Sequence, residues 1–356
     1  MTMYNVSNKN IVHILVALVI LAITFHGSPT QSAQSAEFDA FSAYDGTNQP
    51  RQPTIFVSVA SYRDDECSAT IANLFKKSTF PHRVFVGVCE QNSTDARESC
   101  RGDHDPQFDK QIKTLTLKHT EAAGPCVARY HCSTLYAGED YFMQIDSHTK
   151  FADGWDQLCI DEIAKCDDPS SSILSVYPVD DGTYGTTATD TPVMCNAKFN
   201  AHGIPVFTAG MKSSSFHGGK PRRNAFIAGG FFFAPGSFVR IVPYDPSLRH
   251  LFQGEEILLS ARAWTHGFDI YSPSRNVVSH HYIRDEKPKF WNDIDKSEHE
   301  HAKHQSESRA RRLLGLEEPV IHDDRYGMGH VRTLAAYWNH AGIDPVAKTV
   351  SGNFCQ

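Results

Sequence analysis

The alternation of strand-like and helix-like segments restricts the fold of this chain more than any other feature. Residues 54–60 (TIFVSVA), 83–88 (RVFVGV) and 141–145 (YFMQI) are short apolar runs rich in β-branched and aromatic side chains. Helix-like stretches such as 69–77 and 127–136 lie between them. This alternation predicts βαβ units, and therefore an α/β fold with a mostly parallel central sheet flanked by helices.

Polar clusters follow two of these strand-like runs. Residues 61–65 (SYRDD) come after the first run, and Asp146-Ser147-His148 comes after the run at 141–145. Because the carboxyl ends of parallel strands meet at one edge of a sheet, we expect both clusters at the edge where ligands bind.

Asp146 and His148 form a candidate metal-binding pair. In an extended segment, residues two apart project to the same side, so one carboxylate and one imidazole would face the same ion. Such an oxygen and nitrogen pair suits a divalent ion, Mn²⁺ first and Mg²⁺ second, that neutralises a diphosphate. A third ligand has to come from elsewhere, and either His280 or His281 supplies an imidazole at the end of a later strand pattern.

Aromatic residues lie close to this motif. Phe151 and Trp155 follow it within ten residues. A nucleotide base or a sugar packs well on such surfaces, and a role in the core is the alternative. We include Trp155 among the donor-binding candidates. Residues 180–224, rich in Gly, Thr and Ser, are expected to form long loops over the site.

Several functions are excluded by what the sequence lacks. Neither GxxxxGK[ST], GxGxxG nor GxSxG occurs, which removes the P-loop, the dinucleotide fingerprint and the nucleophile elbow. The chain has 34 Lys and Arg against 41 Asp and Glu, a net charge of −7. A nucleic-acid partner is therefore not expected.

The first 53 residues of the chain differ in composition from the rest. The run IVHILVALVILAITF is apolar and ends at His26-Gly27, and a Ser, Gln and Pro-rich stretch follows it. We predict four regions, namely a short cytoplasmic tail (1–10), a membrane-spanning signal anchor (11–26), a flexible stalk (27–53) and a catalytic domain (54–356).

Charges around the apolar run predict its orientation. Lys9 precedes the run, whereas Glu37 and Asp39 follow it, so the body of the chain is expected on the luminal side of a Golgi membrane as a type II protein. The alternative is a cleaved signal peptide, with Ala33 and Ser35 as the small residues before the cut, and a secreted product. Nine cysteines suit either oxidising compartment, and the sequence leaves their pairing open.

Four segments together resemble one known family. They are IFVSVASYRDDECSATIANLF, the GPxxAR at 124–129, GEDYFMQIDSHTKFADGWD at 138–156 and the tail at 326–355. They are similar to the polypeptide α-N-acetylglucosaminyltransferases, which include protist enzymes acting on hydroxyproline or on mucin threonines. The resemblance implies a Rossmann-like GT-A fold, UDP-GlcNAc as donor, a divalent metal ion and retention of configuration at the anomeric carbon.

A more distant likeness to the mucin-type GalNAc-transferases implies roles for single residues. Their GEN motif resembles Gly254-Glu255-Glu256, which implies that Glu255 lies near the acceptor and the transferred sugar, although Glu256 departs from the Asn. Their metal-binding histidine precedes an arginine by three residues, which favours His281 over His280 as the third ligand. Arg129 matches an arginine beside the donor.

The family resemblance implies a role for each candidate residue of the site. Asp146, His148 and His281 would hold the metal ion, Asp146 and Glu255 would act in catalysis, and Ser61, Tyr62 and Arg63 would help to hold uridine. GlcNAc would pass to a Thr, Ser or hydroxyproline hydroxyl of a polypeptide, with Ser/Thr-rich or Pro-rich mucin-like acceptors favoured. Two alternatives remain open, a transferase for another UDP-sugar and a membrane-tethered, non-catalytic sugar-binding protein.

Overall fold

A computed structural model describes residues 51–183, 190–212, 218–322, 324–351 and 354. The predicted tail, the predicted membrane anchor and most of the predicted stalk lie outside these residues. Within the described ranges, none of the helices has the length and the apolar composition needed to cross a bilayer.

Eight of the described strands form one sheet, in the order β10-β12-β6-β11-β4-β1-β2-β3. A smaller sheet has the order β5-β13-β7, and two hairpins pair β8 with β9 and β14 with β15. The strands are β1 (Ile55–Tyr62), β2 (Val84–Asn92), β3 (Ile112–Lys118), β4 (Tyr141–Asp146), β5 (Thr149–Phe151), β6 (Ser172–Ser175), β7 (Val179–Asp180), β8 (Thr191–Phe199), β9 (Pro205–Lys212), β10 (Arg222–Asn224), β11 (Phe231–Pro235), β12 (Asp269–Ser272), β13 (Val278–His280), β14 (Ile343–Asp344) and β15 (Thr349–Val350).

Strand direction in the large sheet is mixed with a parallel majority. β1 is parallel to β2 and β4, β2 is parallel to β3, and β6 is parallel to β12. β11 is antiparallel to both β4 and β6, and β10 is antiparallel to β12. The predicted α/β class and mostly parallel sheet are therefore confirmed, while the reversed β11 could not be predicted because an apolar run does not encode its direction.

Helices cover the sheet. They are α1 (Cys67–Lys77), α2 (Pro125–Ser133), α3 (Trp155–Ile163), α4 (Phe238–Ile241), α5 (Glu255–Thr265), α6 (Lys296–Leu313) and α7 (Leu334–Ala341). In α1 the side chains of Ile71, Leu74 and Phe75 are buried, and Lys76 and Lys77 lie in the last turn, where positive charge is favourable. This helix packs its apolar face on the core and connects β1 to the parallel strand β2.

The ends of β1 and β4 create the edge that carries the polar clusters. Ala60 pairs with Asp146 across these parallel neighbours, so β4 ends beside Ala60 and β1 continues to Tyr62 at the same edge of the sheet. After Asp146 the chain makes a turn and enters β5, in which Thr149 pairs with His280 of β13. This second pairing brings a distant strand beside the turn.

The region at 180–224 departs from its expected loop structure. Its described part includes β8 and β9, which form an antiparallel hairpin with an irregularity between Met194 and Asn196. Val193, Met194 and Ala197 are buried in this hairpin. Burial of these apolar side chains stabilises strands in a segment whose Gly and Thr content is typical of loops.

One disulfide joins Cys67 at the start of α1 to Cys100. Among the described residues, the free thiols are all buried, and they belong to Cys89, Cys126, Cys132, Cys159 and Cys166.

Candidate active site

A large cleft opens at the carboxyl ends of β1 and β4, with a cavity volume of about 660 Å³. Its walls come from the polar segments after these strands, the end of β13, the N-terminus of α5 and the hairpin of β8 and β9. This is the position at which open α/β sheets bind ligands. Of the residues expected to bind donor or metal, Ser61, Tyr62, Arg129, Asp146, His148, His281 and Glu255 line the cleft.

Asp146, His148 and His280 form a group that could hold a metal ion. One ligand atom from each lies within 4.8 Å of the others. His280 Nε2 is 3.1 Å from Asp146 Oδ2, and the two imidazole centroids are 4.5 Å apart. Buried His280 Nδ1 has no hydrogen-bond partner among the described residues, so the ring is not fully occupied by protein contacts. One carboxylate with two imidazoles is a donor set that suits Mn²⁺, so the residues fit a divalent ion.

Asp146 and His148 converge by a different geometry from the one expected. The sequence predicts both residues in an extended strand, but β4 ends at Asp146, and Ser147 and His148 form a turn. Thr149 Oγ1 donates to Asp146 O at 2.8 Å and closes this turn. The turn, rather than strand alternation, brings the carboxylate and the imidazole together.

His280, rather than His281, joins the group with Asp146 and His148. Successive residues at the end of a strand project to opposite sides, so only one of two neighbouring histidines can face the turn. His281 Nδ1 lies 3.0 Å from both carboxylate oxygens of Glu66, and its backbone N–H donates to His148 O at 3.2 Å. The resemblance-based preference for His281 is therefore corrected in this geometry.

Arg129 links the metal-capable group to Glu255. This buried guanidinium donates from Nη2 to Asp146 Oδ1 at 3.2 Å and to Gly229 O at 3.0 Å, and its Nη1 contacts Glu255 Oε1. Burial opposes ionisation of Asp146, but the hydrogen bond with His280 and the charge of Arg129 hold its pKa below the usual range. Asp146 is therefore a carboxylate at neutral pH, the form that binds a cation.

Two adjacent glutamates begin helix α5 at the wall of the cleft. Glu255 accepts from the thiol of Cys126 at 3.2 Å, and Gly254 before it has a φ of 113°, a conformation that favours glycine. Glu256 accepts from Tyr177 Oη at 2.5 Å and from the backbone N–H of Gly229 at 2.7 Å. Burial raises the pKa of Glu256 to about 7 despite these two hydrogen bonds.

Glycines allow the backbone to approach these side chains. A Cβ on Gly229 would lie 3.0 Å from Glu255 Oε1 and 3.2 Å from Arg129 Nη1. A Cβ on Gly230 would lie 3.2 Å from Asp146 Oδ2. Any side chain at either position would therefore intrude on the carboxylates.

The three candidates at the end of β1 occupy different environments. Ser61 is buried, and its Oγ has no hydrogen-bond partner among the described residues. Tyr62 lines the cleft and donates to Asp293 Oδ2 at 2.5 Å. Arg63 has a φ of 45° and pairs with Glu98 at 3.1 Å and Asp293 at 2.7 Å, so its guanidinium is engaged by carboxylates.

Trp155 is a core residue, which corrects its assignment to the donor site. Its side chain is 0% exposed, its Nε1 donates to Leu74 O at 2.9 Å, and its ring packs on Phe151 with centroids 4.8 Å apart. At the N-terminus of α3 it fills the space beneath α1, because burial of the apolar ring stabilises the folded state.

Sequence reasoning missed several charged residues of the site. Asp64 accepts from His148 Nδ1 and Ser147 Oγ and pairs with Arg284. Its position inside the polar cluster at the end of β1 was the only available signal. Burial opposes its ionisation, but the hydrogen bond from His148 and the charge of Arg284 lower the pKa of Asp64 to about 2.

A solved structure of similar shape defines the class of this fold. The crystal structure of GalNAc-T7 with UDP, GalNAc and Mn²⁺ superposes with a TM-score of 0.51 at 11% identity, over 82% of this chain and 57% of that chain. The chain thus spans less than two thirds of that protein. S. aureus TarS 1–349 in complex with UDP-GlcNAc matches over 72% of each chain at 15% identity, with a TM-score of 0.43. The fold is that of the GT-A glycosyltransferases.

The family follows from the sequence. The glycosyltransferase (GlcNAc) family matches residues 54–107 and 102–347, which together cover most of the chain. The protein therefore belongs to this glycosyltransferase family, and the family resemblance found in the sequence is confirmed. A search of curated proteins returned no match.

Proposed function

We propose that this protein is a metal-dependent, retaining glycosyltransferase that moves GlcNAc from UDP-GlcNAc to a hydroxyl of an acceptor polypeptide. One observation carries the proposal: Asp146, His148 and His280 lie together in a cleft large enough for a ligand. The guanidinium of Arg129 connects this group to Glu255, because it contacts both Asp146 and Glu255. Membership of the glycosyltransferase family and the GT-A fold support the reaction class.

Asp146, His148 and His280 would hold the divalent ion, with Mn²⁺ the first choice. When bound, such an ion supplies positive charge that binds a diphosphate and stabilises it as a leaving group. The residues bring one negative charge to the ion, from Asp146, so the bound ion keeps net positive charge toward the phosphates. Arg129 holds the Asp146 carboxylate in place from the other side.

Glu255 contributes no ligand to the ion and contacts the same Arg129 guanidinium as Asp146, so we assign it to the sugar side of the site. A bond forms between the acceptor oxygen and the anomeric carbon, and the bond from that carbon to the UDP oxygen breaks on the same face. The acceptor proton passes to the departing phosphate oxygen. Glu255 stabilises positive charge on the sugar ring and orients the acceptor hydroxyl, and Arg129 holds its carboxylate in place through their ion pair.

The Mn²⁺ requirement and the donor are tested together. Purified protein is incubated with UDP-GlcNAc, UDP-GalNAc or UDP-glucose and an array of Ser/Thr-rich and Pro-rich peptides, with EDTA and Mn²⁺ as the two metal conditions. We expect transfer of GlcNAc that EDTA abolishes and Mn²⁺ restores. Transfer of another sugar would replace the donor assignment, and neither transfer nor hydrolysis with any donor would indicate a binding protein.

The stereochemical outcome has its own measurement. NMR of the product at early times gives the anomeric coupling of the new linkage. Retention predicts an α-linkage from the α-linked donor, and a β-linkage would contradict the retaining mechanism.

We also propose a Golgi location, with residues 11–26 as the anchor and a luminal catalytic domain. The apolar run in the sequence and the disulfide between Cys67 and Cys100 support an oxidising compartment. Protease protection of the full chain in sealed membranes tests it, since a luminal domain is cleaved only after detergent is added. Release into the medium would instead favour a cleaved signal peptide.

A further inference from the structure

The Asp64 carboxylate lies at the centre of a hydrogen-bond arrangement behind the metal-capable group. Its side chain is buried, and it accepts through Oδ2 from His148 Nδ1 at 2.8 Å and from Ser147 Oγ at 2.5 Å. Through Oδ1 it pairs with Arg284 Nη2 at 2.8 Å and accepts from the backbone N–H of Glu66 at 3.1 Å. Both oxygens are therefore fully engaged by donors.

These contacts determine which nitrogen of His148 carries the proton. An ionised carboxylate only accepts hydrogen bonds, so Nδ1 has to be the protonated nitrogen. At the other side of the ring, Arg284 Nη1 lies 3.3 Å from His148 Nε2. A guanidinium only donates, so Nε2 has to carry the lone pair. Two independent partners thus define the same tautomer, with Nε2 as the nitrogen that carries the lone pair.

We propose that Asp64 is a positioning residue that holds His148 in the Nδ1–H tautomer and fixes its ring, so that Nε2 is ready to bind the divalent ion. The inference rests on the proposed metal-dependent function. Carboxylate, imidazole and metal arranged in this order raise the basicity of the ligand, and loss of such a carboxylate typically lowers metal affinity about 10–100-fold.

The substitution Asp64→Asn reverses the tautomer at almost constant volume. Arg284 and the Glu66 N–H are donors, so the amide oxygen must face them and the amide NH₂ must face His148 and Ser147. His148 Nδ1 then has to accept, and its proton moves to Nε2, where it faces the Arg284 guanidinium. A metal ion has to displace this proton before it can bind Nε2, so binding weakens. Asp65→Asn is the matched control, because the neighbouring Asp65 is exposed and pairs with Lys287.

The test measures tautomer and metal affinity separately. Long-range ¹H–¹⁵N spectra of ¹⁵N-histidine-labelled, metal-free protein at about pH 8 identify the protonated nitrogen of His148, assigned by its loss in His148→Gln. Mn²⁺ titration followed by EPR gives the dissociation constant. We expect an Nδ1–H ring in the wild type, an Nε2–H ring in Asp64→Asn, Mn²⁺ binding weaker by about 10–100-fold in that variant, and wild-type values for Asp65→Asn.

Ser147→Ala tests whether a loss of Mn²⁺ affinity comes from the tautomer of His148 or from a change in the shape of the turn. It removes one donor to Asp64 and leaves the contact with His148, so Mn²⁺ affinity should change by no more than about threefold. Equal losses in Ser147→Ala and Asp64→Asn would overturn the proposal in favour of a purely structural role.

Other outcomes are equally decisive. Wild-type Mn²⁺ affinity in folded Asp64→Asn would overturn the positioning role and leave the proposed function standing, whereas no Mn²⁺ binding by the wild type would contradict the proposed function itself. If Asp64→Asn does not fold, the wild-type spectrum decides, since an Nε2–H ring there overturns the proposal.

Discussion

Asp146 and Glu255 share one buried guanidinium, that of Arg129, although 109 residues separate them in sequence. Asp146 ends a central strand and Glu255 begins a helix, so the two arrive from different layers of the fold. This arrangement joins the part of the site suited to a metal ion with the part suited to a sugar.

The two neighbouring histidines at the end of β13, His280 and the next residue His281, give a matched pair of variants. His280→Ala removes a member of the metal-capable group and should weaken Mn²⁺ binding by at least about tenfold. His281→Ala removes a contact with Glu66 and should change Mn²⁺ affinity far less. Calorimetric titration of Mn²⁺ into both proteins makes the comparison, and a larger loss in His281→Ala would restore the preference drawn from the sequence.

Gly229 should tolerate no side chain. In Gly229→Ala the new methyl group would press on Glu255 and Arg129 and separate their ion pair. We expect kcat/KM for UDP-GlcNAc to fall by about 100-fold, a loss typical of displaced electrostatic groups, with a small change in Tm.

Gly102→Ala is the control for that variant. A Cβ there would lie 3.3 Å from Ser68 Oγ on an exposed segment away from the cleft. Its activity should remain within about twofold of wild type. Equal activities of the two variants would show that the contact between Gly229 and Glu255 is unimportant.

Glu256 makes folding stability depend on pH. Burial raises its pKa from 4.5 to about 7, so below pH 4.5 it is protonated in both the folded and the unfolded chain. As pH rises toward 7, the unfolded chain releases this proton first, and the free energy of unfolding falls by up to about 3 kcal/mol before levelling off. In Glu256→Gln this part of the pH dependence should disappear, as measured by urea unfolding between pH 5 and 8. Parallel pH curves for both proteins would refute the shifted pKa.

Trp155→Phe tests the assignment of Trp155 to the core instead of the donor site. The variant loses the hydrogen bond to Leu74 O and leaves a small void, so the free energy of unfolding should fall by about 1–3 kcal/mol. Because the ring is buried in the core, KM for UDP-GlcNAc should stay within about twofold of wild type. A strongly raised KM with unchanged stability would return Trp155 to the donor site.

The fold and the location of the site were predictable because they depend on local patterns. The apolar runs at β1 and β4 and the polar residues after them indicated two strands ending at one edge, and the pairing of Ala60 with Asp146 confirms it. Local patterns carry no information on how distant strands approach each other. The pairing of β13 with β5, which selects His280 over His281, could therefore not be predicted from the sequence.

Asp64 and Trp155 illustrate the same limit at single residues. Asp64 stood in a cluster of four charged residues, Arg63 to Glu66, in which nothing marks the member that will be buried behind His148. Trp155 follows the DSH motif closely in sequence, but helix α3 directs it into the core. Burial depends on tertiary packing, and one sequence gives only its average tendency.

The most direct test of the account is a crystal structure of this protein with Mn²⁺ and UDP, with data collected to locate manganese by its anomalous signal. We predict one strong peak bound by Asp146, His148 and His280 and by the diphosphate of UDP. A manganese peak elsewhere in the cleft, or UDP bound with these three side chains directed away from it, would contradict the account.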